Sequence, residues 1–205
     1  MRLFLALALA LAAVPPETRS ALDRARSRYA DGGAHAAEFV QIYTPAGFTT
    51  AKREAGTVWI QAPERLRFEY TAPEKKTFSY DAGEGRFYAP EDRQLTVHRL
   101  SPDEKARLPI VFLISAEDLA REYIIAPEAA ESGAVSLRLT PRAPHPDLSW
   151  LKLTVERDGS VPELSFEDAG GNRTVFRFEA WRKEKARPTS DYRVTGPSGT
   201  RVVEN

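Results

Sequence analysis

Few residues in this chain could perform catalysis or hold a metal ion, and they are scattered. The histidines His35, His98 and His145 form neither an H-E-x-x-H motif nor a pair at i, i+4 spacing. We therefore interpret each as a surface or turn residue and predict no metal site and no cofactor. The chain has no cysteine, which excludes thiolate metal ligands, a cysteine nucleophile and a lipid anchor on an N-terminal cysteine.

Two further segments partly match functional motifs but lack their spacing. Residues 196–199 (GPSG) lack the G-x-S-x-G spacing and the strand-to-helix setting of a nucleophilic serine. Glu167 and Asp168, taken with Asn172, lack the D-x-D-x-D-G spacing of a calcium loop. We interpret both segments as turns and predict that the protein is not an enzyme.

The composition predicts one soluble globular domain. A length of 205 residues, with 42% hydrophobic and 28% charged residues, is typical of a single folded unit. The 29 Lys and Arg residues balance the 29 Asp and Glu residues, so no net field attracts nucleic acid over long range. We expect no nucleic-acid partner and a monomeric protein.

The N-terminus has the pattern of an export signal. Arg2 precedes an apolar run over residues 3–14, and Pro15 and Pro16 end it. A membrane anchor is the alternative, but a span needs about 20 apolar residues. We predict that residues 1–13 are a cleavable signal peptide and that residues 14–205 form a single exported domain.

Alternating apolar and polar residues predict an antiparallel β-sheet that forms most of the fold. Leu66 and Phe68 alternate with Arg65 and Arg67, and the same period of two recurs along most of the chain, with a last short strand predicted over 192–194. One face of the sheet is therefore apolar. Its predicted members, which would line a cavity, are Trp59, Leu66, Phe68, Tyr70, Phe78, Tyr80, Phe87, Leu137, Leu139, Leu151, Leu153, Phe166, Phe176 and Phe178.

Two helical regions accompany the sheet. Leu22, Ala25 and Tyr29 lie on one face of a short amphipathic helix, and Ser101 with Glu104 has the pattern of a capping box. Two or three short helices are predicted at about residues 102–123, a region that we call the lid. Its apolar run contains the residues expected to cover the sheet, Ile110, Phe112, Leu113 and Ile114.

The apolar face has two interpretations. An ordinary core is the simpler one, because the inner face of a sheet is usually filled. The few turns of helix available to cover so many strands favour instead an incompletely filled space that binds an apolar ligand.

The order and spacing of short motifs resemble the LolA family of periplasmic lipoprotein carriers of Gram-negative bacteria, over nearly the whole exported chain. The matching segments are 39–41, 56–63, 66–73, 80–81, 87–90, 108–109, 112–114, 137–141, 158–159, 168–174 and 197–199. The resemblance implies an unclosed antiparallel barrel with a lid of short helices, and acyl chains of the cargo between them. It also implies that an inner-membrane ABC transporter supplies acylated lipoproteins and that an outer-membrane receptor lipoprotein takes them over.

One position departs from the family pattern. Family members commonly have an arginine before the proline of the second strand, where it latches the lid through hydrogen bonds to backbone; this chain has Ala62 there, before Pro63. Either another residue forms the latch, or apolar contacts alone hold the lid, or the chain is a paralogue with a different lipid cargo. The last case gives the alternative function, a lipid-binding or lipoprotein-sensing protein.

Overall fold

The computed structural model describes residues 14–101, 104–105, 108, 111–130, 133–145 and 148–204. The predicted signal peptide, residues 1–13, lies outside the described residues, as do Ile110 and the side chain of Phe112. No helix in the described part of the chain is both long enough and apolar enough to cross a membrane.

The described chain is mainly β. The strands are β1 (Ala34–Thr44), β2 (Lys52–Gln61), β3 (Arg65–Ala72), β4 (Lys76–Asp81), β5 (Glu84–Ala89), β6 (Gln94–Arg99), β7 (Tyr123–Glu128), β8 (Val135–Pro141), β9 (Trp150–Val155), β10 (Glu163–Glu167), β11 (Arg173–Glu184) and β12 (Arg201–Glu204). The helices are α1 (Pro16–Tyr29) and α2 (Ala116–Glu122), with short 3₁₀ turns at Val111–Leu113 and Thr189–Tyr192.

All twelve strands belong to one sheet that does not close. Its order is β12-β6-β5-β4-β3-β2-β1-β11-β10-β9-β8-β7, so β12 and β7 form the two edges. Neighbours pair antiparallel except β12 and β6, which pair parallel. The sequence prediction of an α+β, mainly β fold built on an unclosed, strongly curved antiparallel sheet is therefore confirmed.

The core lies on the concave face of this sheet. The clean alternation in β3 buries Leu66 and Phe68, while Arg65 and Arg67 lie on the other face. Helix α1 packs onto the concave face through the predicted stripe, and its Tyr29 hydroxyl accepts a hydrogen bond from the backbone of Val161 at 3.1 Å. The helix begins at Pro16, since proline suits the first helical position.

The described lid residues follow the predicted helix signals. The Ser101 hydroxyl accepts a hydrogen bond from the Glu104 backbone at 3.3 Å, and the Glu104 carboxylate accepts one from the Ser101 backbone at 2.8 Å. This reciprocal pair is the predicted capping box. Ser115 caps α2 in the same way, through a hydrogen bond from the backbone of Asp118 at 3.1 Å.

The prediction of a strand over 192–194 is wrong. Residues 185–200, which we call the strap, cross the convex face of the sheet, and the last strand is β12. Val194 is held by a side chain: its backbone donates to the Ser79 hydroxyl at 3.2 Å. Apolar residues in this segment are buried by contact with the outside of the sheet rather than by strand pairing, which sequence alternation does not distinguish.

Candidate functional site

The strand register brings the predicted cavity residues together on the concave face, with one exception. Phe39 of β1 starts the series: Phe178 is its register partner in β11 and Gly56 its partner in β2. Residues opposite each other in adjacent strands share a face, so the register places all the predicted residues except Trp59 on one surface. They are Leu66, Phe68, Tyr70, Phe78, Tyr80, Phe87, Leu137, Leu139, Leu151, Leu153, Phe166, Phe176 and Phe178.

Trp59 lies on the convex face, contrary to the prediction. Its neighbours Val58 and Ile60 are fully buried on the concave face. The Trp59 ring is half-buried under the strap, with the Arg187 guanidinium 4.9 Å from its centroid. In a stretch of four residues with β-forming side chains, alternation allows either face. The pairing of Val58 with Phe68 decides between them, and that pairing is not a local property of the sequence.

The aromatic residues form a connected cluster on the concave face. Phe39 lies 4.8 Å from Phe68 and 5.0 Å from Tyr70, centroid to centroid, in edge-to-face geometry. Phe68 lies 5.4 Å from Phe176. Such arrangements are favoured by aromatic quadrupoles, so this part of the described concave face is a packed surface.

Helix α1 covers more of the concave face than the sequence analysis anticipated. Its Ala21, Leu22, Ala25 and Tyr29 are buried in the same cluster as the strand residues. Their spacing signalled an apolar helix face, but not that this face would lie inside the curve of the sheet. A ligand that used the whole face would therefore have to displace helical side chains.

An open cleft of about 820 Å³ lies beside the lid. Its apolar lining includes Tyr80 from the sheet together with Leu113, Ile114 and Leu119 from the lid. Leu113 is half-buried against the core, whereas Ile114 remains 40% exposed. The cleft thus lies between lid and sheet, and charged side chains, among them Arg26, Glu64 and Lys105, also line it.

Ala62 leaves the family's latch position without a hydrogen-bonding side chain, and another arginine contacts the lid. Arg142, in the loop after β8, donates a hydrogen bond from its side-chain Nε to the Ala120 carbonyl at 2.9 Å. Its backbone donates to the Glu122 carbonyl, also at 2.9 Å. These bonds satisfy carbonyls at the C-terminal end of α2, where the helix itself supplies no donors. The sequence offered no signal for this contact beyond the missing arginine.

Two phenol groups, those of Tyr70 and Tyr80, lie on this mainly apolar face. The Tyr70 hydroxyl donates to Gln41 at 2.7 Å, and the Lys76 ammonium lies 4.6 Å from the Tyr70 ring centroid and pairs with Glu54. Burial, together with Glu54, raises the pKa of Tyr70 well above its ordinary value. The buried Tyr80 donates to Glu64 at 3.1 Å, and its burial, aided by Glu64, raises its pKa to about 12. Both phenols stay neutral at physiological pH.

The residues first considered for catalysis or metal binding do not lie together in the structure. His35 is buried in β1, contrary to the prediction of a surface or turn residue, and contacts Asp31 at 3.0 Å, whereas His98 of β6 contacts Glu104 at 3.1 Å beside the lid. Within the described ranges, no group of three or more metal-binding side chains could hold an ion. The Asp168 carboxylate accepts hydrogen bonds from the side chain and backbone of Asn172, as expected of a hairpin turn.

Comparison with known proteins identifies the family. A model of "Outer membrane lipoprotein carrier protein LolA" matches residues 33–195. The outer-membrane lipoprotein carrier protein of Xanthomonas campestris pv. campestris is 30% identical over 169 residues, which cover 81% of this chain and 79% of that protein. The protein of the same name from Dechloromonas aromatica is 25% identical, over 82% of this chain and 79% of its own length.

Among solved structures, an uncharacterized conserved protein from Thermus thermophilus has a similar fold. The TM-score is 0.57 at 13% identity, covering 92% of this chain and 99% of that one. At this identity the likeness concerns the fold alone.

Proposed function

Because this chain belongs to the LolA family of outer membrane lipoprotein carrier proteins, we propose that it binds lipoproteins by their acyl chains in the periplasm. In this proposal the acyl chains lie between the concave face and its helical cover. The protein receives cargo from an inner-membrane ABC transporter and delivers it to an outer-membrane receptor lipoprotein. It acts as a carrier and chaperone and catalyses no reaction.

The observation that carries the proposal is the single continuous apolar face whose cover consists of helices rather than a second sheet. Buried residues of nine strands share one surface in the described part of the chain, and α1, the 3₁₀ turn at Val111–Leu113 and α2 lie over it. Helices joined by short loops can shift without breaking the hydrogen bonds of the sheet. A second sheet would pack as a fixed layer.

Hydrophobic burial provides the driving force for cargo binding. Burying one methylene group of an acyl chain is worth about 0.8 kcal/mol, so a lipoprotein with several chains faces a cost on the order of tens of kcal/mol in water. A carrier must offset most of this cost. It must also bind less tightly than the receptor, because otherwise the cargo would remain on the carrier.

The free energy needed to open the lid lowers the affinity of the carrier for its cargo. Leu113 and Leu119 cover part of the apolar face, and cargo would exchange these contacts for contacts with acyl chains. The free energy of opening is subtracted from the free energy of cargo binding. The hydrogen bond between Arg142 and Ala120 adds to the opening cost, so we propose that Arg142 takes over the role of the missing latch at Ala62.

The proposal is tested by identifying what the protein carries. The chain is expressed with its N-terminal segment in a Gram-negative host, purified from the periplasm, and its bound material is analysed by mass spectrometry. Acylated protein supports the carrier function. Free lipid without acylated protein contradicts it and favours the alternative of a LolA-like protein with another lipid cargo.

A matched pair of variants tests the role of the lid. Leu113→Glu places a charge at the edge of the cleft, whereas Ile124→Glu places one on the edge strand β7, where Ile124 is 54% exposed. Only Leu113→Glu should alter binding of a diacylated peptide, measured by fluorescence polarisation. Equal effects of the two substitutions would contradict a cargo site beneath the lid.

A further inference from the structure

The hairpin between β1 and β2 carries an exposed aromatic side chain at its tip. Phe48 is 68% exposed, the highest fraction among the large hydrophobic residues in the described part of the chain. Tyr43 still pairs with Lys52, but β3 pairs with β2 only from Ala55 onward. The end of the hairpin therefore projects beyond the neighbouring strand, and Phe48 lies at its tip.

The tip has a fixed shape. The Phe48 backbone donates to the Pro45 carbonyl at 3.1 Å, and Gly47 between them adopts a φ of 76°, which favours glycine. The Ala46 backbone donates to the Asn172 side chain at 3.0 Å, which connects the tip to the adjacent β10–β11 turn. These bonds hold Phe48 outward, so a contact made by Phe48 does not first have to order the loop.

The charged residues closest to Phe48 along the chain are cations. Residues 39–53 contain no aspartate or glutamate, while Lys52 and Arg53 are both exposed. Neither forms an ion pair with any described residue. Glu54 follows Arg53 directly but pairs with Lys76, and Asp168 of the adjacent β10–β11 turn is bonded to Asn172.

We propose that this hairpin tip docks on the surface of an anionic lipid bilayer. Phe48 would enter the interfacial region, and Lys52 and Arg53, four and five residues further along the chain, would remain at the level of the lipid phosphates. An apolar residue flanked by cations is the combination that binds peripherally to anionic membranes. One aromatic ring and two cations give a weak, reversible contact, which suits a protein that must leave the membrane again.

The absence of cysteine permits a direct test with the full chain. Thr49→Cys, beside Phe48 and also exposed, is labelled with an environment-sensitive NBD fluorophore. The NBD emission should rise and shift to the blue on phosphatidylglycerol vesicles and change little on phosphatidylcholine vesicles. Added salt should reduce the response, because it screens exposed charges.

Further substitutions in the labelled protein separate the proposed contact from general adhesion. Phe48→Ser should weaken vesicle partitioning about tenfold, because it removes most of the inserted apolar surface. Lys52→Gln with Arg53→Gln should weaken it about 25-fold, since each of the two cations near an anionic surface strengthens binding about fivefold. Val202→Ser, which removes another exposed apolar residue on β12, should change it less than twofold.

Two outcomes would overturn the proposal. One is an unchanged NBD emission on phosphatidylglycerol vesicles. The other is a loss of cargo transfer on Phe48→Ser without any vesicle binding by the parent protein, which would assign the tip to a protein partner. The NBD response on vesicles does not depend on whether acylated cargo binds beneath the lid, so failure of this proposal and failure of the proposed carrier function can be distinguished.

Discussion

The Nε atom of Arg142 donates a hydrogen bond to the carbonyl oxygen of Ala120 at 2.9 Å and so joins the loop after β8 to the C-terminal end of α2. A second connection, an ion pair between Arg19 of α1 and Glu117 of α2, lies at the other end of the same helix. The ion pair is exposed and therefore contributes little. The arginine–carbonyl bond is the better candidate for a lid restraint, because it satisfies a carbonyl that the helix leaves free.

Substituting Arg142→Ala should loosen the lid. Loss of one hydrogen bond from a charged donor at a partly exposed site is worth about 1 kcal/mol. Amide hydrogen exchange in α2 should accelerate about fivefold, and a diacylated peptide should bind up to about fivefold more tightly, because opening costs less. Hydrogen exchange detected by mass spectrometry measures the first effect, and fluorescence polarisation the second.

Arg121→Ala is the control for the Arg142 prediction. Arg121 is also exposed and near the end of α2, but its bond goes to Asp118 on the same helix and connects no second element. It should leave the peptide affinity unchanged. Equal exchange rates and affinities in the Arg142 and Arg121 variants would contradict a latch at Arg142.

The two faces of the sheet can be distinguished with a matched pair of half-buried aromatic residues. Phe166 lies on the concave face, 6.5 Å from Phe176, whereas Trp59 lies on the convex face under the strap. Phe166→Ala should weaken binding of a diacylated peptide about tenfold through lost apolar contact. Trp59→Ala should leave that affinity within twofold while lowering stability by about 1 kcal/mol, through loss of the stacked Arg187. Peptide titration and chemical denaturation measure these effects. Weaker peptide binding by the Trp59 variant would contradict its assignment to the convex face and would indicate that Trp59 contacts the cargo.

The alternation of residues predicts the sheet because each strand carries its own period of two. Clean alternation, as in β3 and β9, identifies the inward residues correctly. Trp59 is assigned to the wrong face because β2 has β-forming side chains on both faces, so that only pairing with Phe68 on β3 fixes which face is inside. The local pattern thus predicts where the strands lie, whereas the pairing register between strands decides which face of an ambiguous strand is buried.

Contacts between distant segments are beyond sequence reasoning for a related reason. The bond between Arg142 and Ala120 depends on where a loop after β8 ends relative to α2, and neither segment has a pattern that requires the other. Part of the strap has the pattern of a strand because buried Tyr192 and Val194 alternate with Arg193. Both features depend on tertiary placement, which a single sequence does not encode in its periodicity.

Asp81 should be the main attachment of the strap. Its carboxylate is nearly buried and accepts hydrogen bonds from Arg65 at 3.0 Å and from Arg193 of the strap at 2.7 Å. Burial alone would raise the pKa of Asp81, but the bonds from Arg193 and Arg65 lower it below its ordinary value. Asp81→Asn should lower the free energy of unfolding by about 2 kcal/mol, since two partly exposed guanidinium groups lose their charged partner.

Limited proteolysis distinguishes a strap attachment from general destabilisation at Asp81. Asp81→Asn should accelerate cleavage within residues 185–200 before the rest of the chain is cut, because the strap loses the ion pair between Arg193 and Asp81. Asp92→Asn, an exposed substitution in the β5–β6 turn, is the control and should change neither measurement. Uniform cleavage along the Asp81 variant would show that the carboxylate stabilises the sheet and not the strap.

The start of the lid should respond to acid through Glu104. Hydrogen bonds from the Ser101 backbone and from His98 lower the pKa of Glu104 to about 2, from an ordinary value of 4.5. Because the folded pKa is the lower one, the stabilisation is fully present above about pH 4.5 and is lost as the pH falls towards about 2.

The Lys105 backbone, which donates to the Ser101 carbonyl at 3.1 Å, reports on this turn. Its hydrogen-exchange protection factor, measured by NMR, should fall over that window in the parent protein. In Glu104→Gln the protection factor should be lower at neutral pH and nearly constant with pH, since no proton is taken up at this position. Glu91→Gln, an exposed substitution outside the capping box, is the control and should behave like the parent. A parallel decline in the parent and in Glu104→Gln would assign the acid response to a group other than Glu104.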